Sequence, residues 1–416
     1  MNRQFDRAKG SIPPWGCLLA FLLPFAAMAA DSTPPAPTAA EVLASAKTFS
    51  VDVDQSYTDA PGVSLPFREV AEFLLNAGGL TEVMNGPADA EVFISANGDA
   101  LSKEYSDPTG TDQPQTCYSG AEMTGYFSVR GPRGSSKDDT FSDEFDPPAT
   151  ISKPYAHPAD APFSRVQEDF VVEFTKLAFR AFGIKVAEAV ARLEDTDPLL
   201  ARTPQLLPCA LCEIARRQAP GALPQLLGAL KSDNPDRVAA AARALRILGD
   251  SRAMPALVDC TVWAPDNCSA DNNTMDDASS GEISSQENEK GELAPWPEIL
   301  SALCSLYTPA YADDLIRALG DLTLGENGRA RRISAAIVLG GKRVAAAVMP
   351  LLAAANSDDN LDNDAVGAAA VYALGEIHDQ VAVPRLRELA RSTTVGGQTQ
   401  EAISYVLQNS FGIAAP

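Results

Sequence analysis

The chain has 416 residues, 55 acidic against 33 basic side chains, and a formal net charge of −22. That length has room for two or more domains and for a sizeable core. The acidity repels phosphate backbones and so disfavours nucleic-acid binding, while it suits basic partners or divalent cations.

At the N-terminus, Arg3, Arg7 and Lys9 precede an apolar run from Cys17 to Ala30 that ends in Ala27-Met28-Ala29-Ala30. A basic head, a short apolar stretch and small residues at its end predict a secretory signal peptide over residues 1–30. The run is too short to span a bilayer, and Pro24 interrupts it. A lipoprotein signal would place a cysteine at the end of the run, whereas Cys17 stands at its start. The expectation is export, to the periplasm or the extracellular space, with no transmembrane segment in the mature chain. Residues 31–45 read as a linker that begins with the Pro-rich stretch Asp31 to Ala40, which favours extended backbone.

Residues 46–195 read as a small α+β domain. Thr48 to Val53 alternates apolar and polar side chains, as a half-buried strand does. Pro66 to Leu75 reads as a helix, with Pro66 in its first turn and Gly78-Gly79 ending it. Ala90 to Ser95 is the next strand, and Asn97-Gly98 predicts a hairpin turn into residues 100–105. Glu122 to Arg130 is another strand, ended by Gly131-Pro132. Residues 133–162 are rich in Pro, Asp and Ser and are expected to form a loop with short extended pieces. Ser164 to Gly183 closes the region as an amphipathic helix whose apolar stripe runs through Val166, Phe170, Phe174 and Leu177.

From residue 196 onward the composition shifts to Ala and Leu with helix-turn-helix spacing. The predicted helices are 203–218, 221–231, 235–249, 252–262, 296–307, 310–322, 327–341, 344–356, 363–377, 380–392 and 396–410. Ala244 to Leu257 aligns without a gap on Ala373 to Leu386. A third copy, from Val338 to Leu351, aligns once one extra residue is allowed. Leu245, Leu339, Leu374, Leu257 and Leu386 are the expected core of this repeat. Gly249, Gly340 and Gly375 fall where long helices stop, and Pro255, Pro350 and Pro384 fall early in the helices that follow. Residues 263–295 are polar, acidic and poor in large apolar side chains. They are expected to project from the array as a loop insertion, because they cannot bury a core of their own.

The run Ala373-Leu374-Gly375-Glu376-Ile377-His378-Asp379, continuing to Ala382-Val383-Pro384-Arg385-Leu386, resembles the HEAT repeat in the subtype first described in phycobilisome lyases. The resemblance spans residues 203–410. It implies an α-solenoid of helical pairs, each contacting its neighbours, behind the α+β domain. It does not imply lyase activity, since fold alone does not give function.

Candidate chemistry is sparse. His157 and His378 are the two histidines, which leaves too few for the paired His-Glu sets of a di-iron site. No Gly-x-Ser-x-Gly elbow occurs, and Gly131 to Lys137 has the wrong spacing for a phosphate loop. No cofactor is expected. Six cysteines follow the signal: Cys117, Cys209, Cys212, Cys260, Cys268 and Cys304. An even count in an exported chain predicts disulfides, and many pairings are open. The candidates are Cys260–Cys268 at the root of the acidic loop and Cys209–Cys212 as a local bridge. Cys209-Ala210-Leu211-Cys212 also has redox spacing, but it sits well inside a predicted helix rather than at its N-terminus. Asp358, Asn360, Asp362 and Asp364 place oxygen ligands at alternate positions, a partial match to a calcium loop that lacks its glycine and its final acidic ligand.

The reading that needs least chemistry is a protein-binding scaffold or adaptor of the cell envelope that uses the solenoid surface, with unidentified protein partners. The alternatives are a thiol-disulfide or lyase-type enzyme, and a calcium-dependent structural or adhesive protein.

Overall fold

The structure, a computed structural model, describes residues 36–58, 60–105, 115–146, 155–260, 295–321, 325–356 and 361–414. Helix α1 (Ala39–Ser45) begins with a capping box: the Thr38 hydroxyl accepts from the Glu41 amide at 3.3 Å, and the Glu41 carboxylate accepts from the Thr38 amide at 2.8 Å. In β1 (Thr48–Thr58), Phe49 and Val51 are buried while Asp52 and Asp54 face out. Helix α2 (Phe67–Ala77) buries Phe67, Val70, Ala71, Leu74 and Leu75 on one stripe. It crosses back so that β3 (Ala90–Tyr105) runs parallel to β1. Strands β4 (Gln115–Gly131) and β5 (Gly134–Phe145) add antiparallel, and the short β2 (Thr81–Glu82) pairs with β1 at the other edge. The sheet order is β2-β1-β3-β4-β5.

Two expectations are corrected here. Asn97-Gly98 makes no hairpin: β3 runs straight through it, with Asn97 opposite Thr124 and Gly98 opposite Met123. A Cβ at Gly98 would sit 2.8 Å from the Glu122 carbonyl oxygen and 3.0 Å from the Tyr57 ring. The glycine therefore serves close packing in a strand rather than a turn. Residues 134–145, expected as loop, form β5 instead. Its charged, polar composition suits the sheet edge, and Phe141 is its buried anchor.

Helix α3 (Glu168–Phe182) lies on the sheet. The Phe170 ring meets those of Phe67, Phe127 and Phe141 at centroid distances of 4.6, 6.1 and 5.4 Å, and Phe174 meets Phe127 at 5.3 Å. Edge-to-face pairs of this kind add about 0.5–1.5 kcal/mol each beyond area burial. The next helices are α4 (Ile184–Ala191), α5 (Pro198–Arg202), α6 (Leu206–Arg216), α7 (Ala222–Ala229), α8 (Pro235–Leu248) and α9 (Met254–Asp259). Beyond residue 294 come α10 (Pro295–Leu306), α11 (Ala312–Gly320), α12 (Gly325–Gly341), α13 (Val348–Ala355), α14 (Leu361–Ile377), α15 (Ala382–Ala390) and α16 (Gly397–Asn409). The chain is mostly helical, with the mixed sheet confined to its N-terminal part.

Helices α4, α6, α8, α10, α12, α14 and α16 each touch the next in that series, forming one row. The second helices of the pairs, α7, α9, α11, α13 and α15, each pack on the first helix of the pair that follows. Because α3 contacts both β5 and α6, a single apolar core runs from the sheet to α16. Residues 37–416 form one compact unit. Among the described residues, no helix is long and apolar enough to cross a membrane.

The turn inside four of the five pairs has its own rule; the α10–α11 turn has no residue with positive φ. Gly249 has φ +72°, and among the described residues the only non-glycine residues with positive φ are Gln218, Arg343 and His378, at 48°, 51° and 59°. All four end the first helix of a pair, so in these four the turn takes a left-handed residue whether or not glycine supplies it. Aligning on that residue removes the extra residue assumed for the third copy. Leu339, Arg343 and Leu351 then match Leu245, Gly249 and Leu257, and also Leu374, His378 and Leu386. The same frame yields a further copy, with Gln218, Ala222, Pro224 and Leu226. The five expected core leucines, together with Leu226 and Leu351, are all fully buried.

Candidate functional site

On α6, Leu206, Leu207, Ala210, Leu211, Ile214 and Ala215 face the core. The remaining arc carries Cys209, Cys212, Glu213 and Arg216, spaced i, i+3, i+4, i+7 on a single stripe. Opposite it, α3 presents Glu173, Lys176, Phe179 and Arg180, and α8 presents Arg243, Arg246 and Ile247. Together these walls, with Asp139 of β5, enclose a groove of about 530 Å³. Six cations line it in a chain whose net charge is −22.

Part of that positive charge is answered locally. Arg217 donates to Glu213 at 2.6 Å, and Arg216 lies 3.8 Å from the same carboxylate. Lys176 pairs with Glu173 at 2.5 Å. Arg243 holds the largely buried Glu298 of α10 through two donors, at 2.5 and 3.1 Å. Burial pulls the Arg243 pKa down, but the Glu298 hydrogen bond and charge more than reverse it, so this guanidinium stays charged. Arg217 also donates to the Phe179 carbonyl at 3.0 Å, tying the last turn of α6 to the last turn of α3. Among the described residues, Arg180 and Arg246 have no carboxylate partner, and the buried Arg246 Nε makes no hydrogen bond.

Cys209 and Cys212 line this groove as separate thiols, so the bridge expected between them is not made in this structure. Burial pushes the Cys209 thiol up to about 11, with a smaller contribution from Cys212. Burial raises Cys212 as well, against the pull of Arg243 and Arg216. Both therefore stay protonated at neutral pH, the opposite of an activated thiolate. Cys260 closes α9 and donates from Sγ to the Leu230 carbonyl at 3.3 Å. Its proposed partner Cys268 and the acidic insertion lie outside the described residues.

Of the four oxygen ligands expected for calcium, Asp364 is the one whose side chain is described. The Asp364 carboxylate accepts from the amides of Gln398 and Thr399 at 3.0 and 2.9 Å and from the Thr399 hydroxyl at 2.7 Å. It caps the N-terminus of α16, where Gly396 has no side chain to do so. A Cβ at Gly396 would run into that carboxylate, so the glycine leaves room for a cap supplied from α14. Asp358, Asn360 and the Asp362 side chain lie outside the described residues. Of the two histidines, His157 precedes a single 3₁₀ turn, and His378 stacks on Phe411 at 5.1 Å. Gly131 to Lys137 forms the β4–β5 turn and the start of β5, not a phosphate loop.

The six groove cations were missed by reading the sequence for spacing alone. Their signal was the density of Lys and Arg at 176–180, 216–217 and 243–246 in an acidic chain. A family model described as PBS lyase HEAT-like repeat matches residues 238–261 and 366–392, which carry α8 with α9 and α14 with α15. These are two of the pairs that share the left-handed turn. No curated protein matches the chain.

Proposed function

We propose that this protein is a protein-binding scaffold, exported to the cell envelope and built as an α-solenoid of HEAT-like helical pairs behind an α+β layer. One observation carries the reading. What recurs along the array is structural: the buried leucines and, in four of the five pairs, the left-handed turn. The described side chains that line the groove between α3, α6 and α8 offer charge and two thiols that burial keeps protonated. Burial of the Cys209 thiol argues against a thiol-disulfide enzyme, whose attacking sulfur needs a lowered pKa. The signal-like N-terminus supports export, and the HEAT-like pairs support an interaction surface rather than a reaction. The test is quantitative capture, using the mature chain as bait in envelope extract and identifying retained proteins by mass spectrometry. A partner retained in near-equal amount to the bait agrees with a scaffold. No retained partner, together with turnover of a thiol or tetrapyrrole substrate, contradicts it.

A further inference from the structure

We propose that the groove between α3, α6 and α8 seats an acidic peptide segment of a partner protein, with its carboxylates on Arg180, Arg216 and Arg246 and an apolar side chain against Ile247. This rests on the scaffold reading and names the partner's chemistry. The first argument is charge. The chain as a whole repels anions, yet this one concavity gathers Lys176, Arg180, Arg216, Arg217, Arg243 and Arg246 from three helices. Like charges held side by side raise the energy of the free protein, and an acidic ligand lowers it.

The second argument is geometry. The groove's guanidinium groups already take up carboxylates where the chain supplies them, Glu298 on Arg243 and Glu213 on Arg217. The planar fork of arginine favours that pairing. Arg180 and Arg246 are left over, one on each outer wall, while Arg216 between them makes only a long contact to Glu213 at 3.8 Å. Three guanidinium groups on three different helices suit carboxylates spaced along a chain better than one compact anion.

Two further features point to a ligand. The Arg246 Nε is buried without a hydrogen-bond partner, a state that a bound carboxylate relieves. Next to it, Ile247 is 38% exposed on the groove wall, an apolar anchor point amid the charges.

The test uses the full mature chain and a fluorescein-labelled peptide that alternates glutamate with leucine, read by fluorescence anisotropy. The wild type is expected to bind, more weakly as salt rises. Arg246→Gln should weaken binding about tenfold, the loss of one charge-assisted contact. Arg180→Glu, at an exposed position on α3, tests the groove without touching a buried group. It should weaken the glutamate peptide and improve binding of the same peptide carrying lysine in place of glutamate. Thermal melts confirm that each variant is folded. Equal binding by wild type and both variants, or none by the wild type, overturns the proposal. Displacement of the peptide by inorganic phosphate at matched concentration also overturns it, in favour of a small-anion site. If the peptide fails while bait capture still retains a partner, the scaffold reading stands and this inference falls; loss of both removes both.

Discussion

Asp364→Ala, combined with Gly396→Ser, tests how the last helix is held. In the wild type the Asp364 carboxylate accepts three hydrogen bonds at the start of α16, two from backbone amides and one from Thr399. Removing an N-cap costs about 0.5–2 kcal/mol, and losing a negative charge at a helix N-terminus about 0.3–1 kcal/mol more. Thr399 is buried but keeps its second bond, to the Asp364 carbonyl at 2.9 Å, so the full cost of an orphaned hydroxyl is not added. The expected loss is about 2 kcal/mol, read as a lower urea midpoint at unchanged slope. Gly396→Ser alone should also destabilise, because its Cβ runs into the carboxylate. With Asp364→Ala the clash is gone. The Gly396 backbone, at φ −64° and ψ 161°, is extended and accepts any L-residue, so the new serine can cap α16 itself. The serine should then restore about 1 kcal/mol of what the alanine lost. A serine that costs the same in both backgrounds, or an alanine that costs less than about 0.5 kcal/mol, refutes the remote cap. Millimolar calcium should leave the wild-type midpoint unmoved, and a rise would restore the metal reading of Asp364.

Leu374→Asp should unfold the adjoining pairs. Leu374 is fully buried, so the change removes about 2–5 kcal/mol of packing and buries an unpaired charge as well; helical circular dichroism with an unchanged melting curve would contradict this. Arg343→Gly should raise the melting temperature, since left-handed backbone costs an L-residue about 1–2 kcal/mol and glycine's extra freedom in the unfolded chain returns about 0.5–1 kcal/mol of that; a lower melting temperature would show that the Arg343 side chain stabilises the turn. Stability should also decline at alkaline pH. The Cys209, Cys260 and Cys304 thiols are each raised by burial from 9.0 to about 11. Their contribution is complete below the unfolded value and is lost as pH rises through the folded one, at about 1.4 kcal/mol per pH unit per group between those limits. Replacing all three by alanine should flatten that part of the urea-midpoint profile, and an unaltered slope would remove the thiols as its cause.

The helical half was legible because its signals agree with one another. Apolar spacing marks eleven helices, the recurring leucines fall on several of them, and α6 to α16 lie where those signals are. What stayed hidden depended on contacts distant in sequence. Asn97-Gly98 carries hairpin chemistry, but only the fold shows Tyr57 packed against that glycine. Arg343 and His378 carry no mark of left-handed backbone, because glycine is the residue that advertises it and neither position has one. Strand β5 looked like loop because an edge strand needs few apolar residues. The groove was invisible for a similar reason. Its cations lie on α3, α6 and α8, and it takes the packing of α3 on α6 to make them one surface. Asp364 shows the converse, a residue whose neighbours in sequence pointed to a cation while its neighbours in space are backbone amides.

The most direct trial of the scaffold account is site-specific photo-crosslinking in the envelope. One photoreactive residue replaces Ile247 on the groove wall, and in a second variant another replaces Met349, 66% exposed on α13. The account predicts one covalent adduct with a discrete protein at position 247, diminished by Arg180→Glu and absent at position 349. Equal adducts at both positions, or none at 247 in a folded and exported chain, would contradict it.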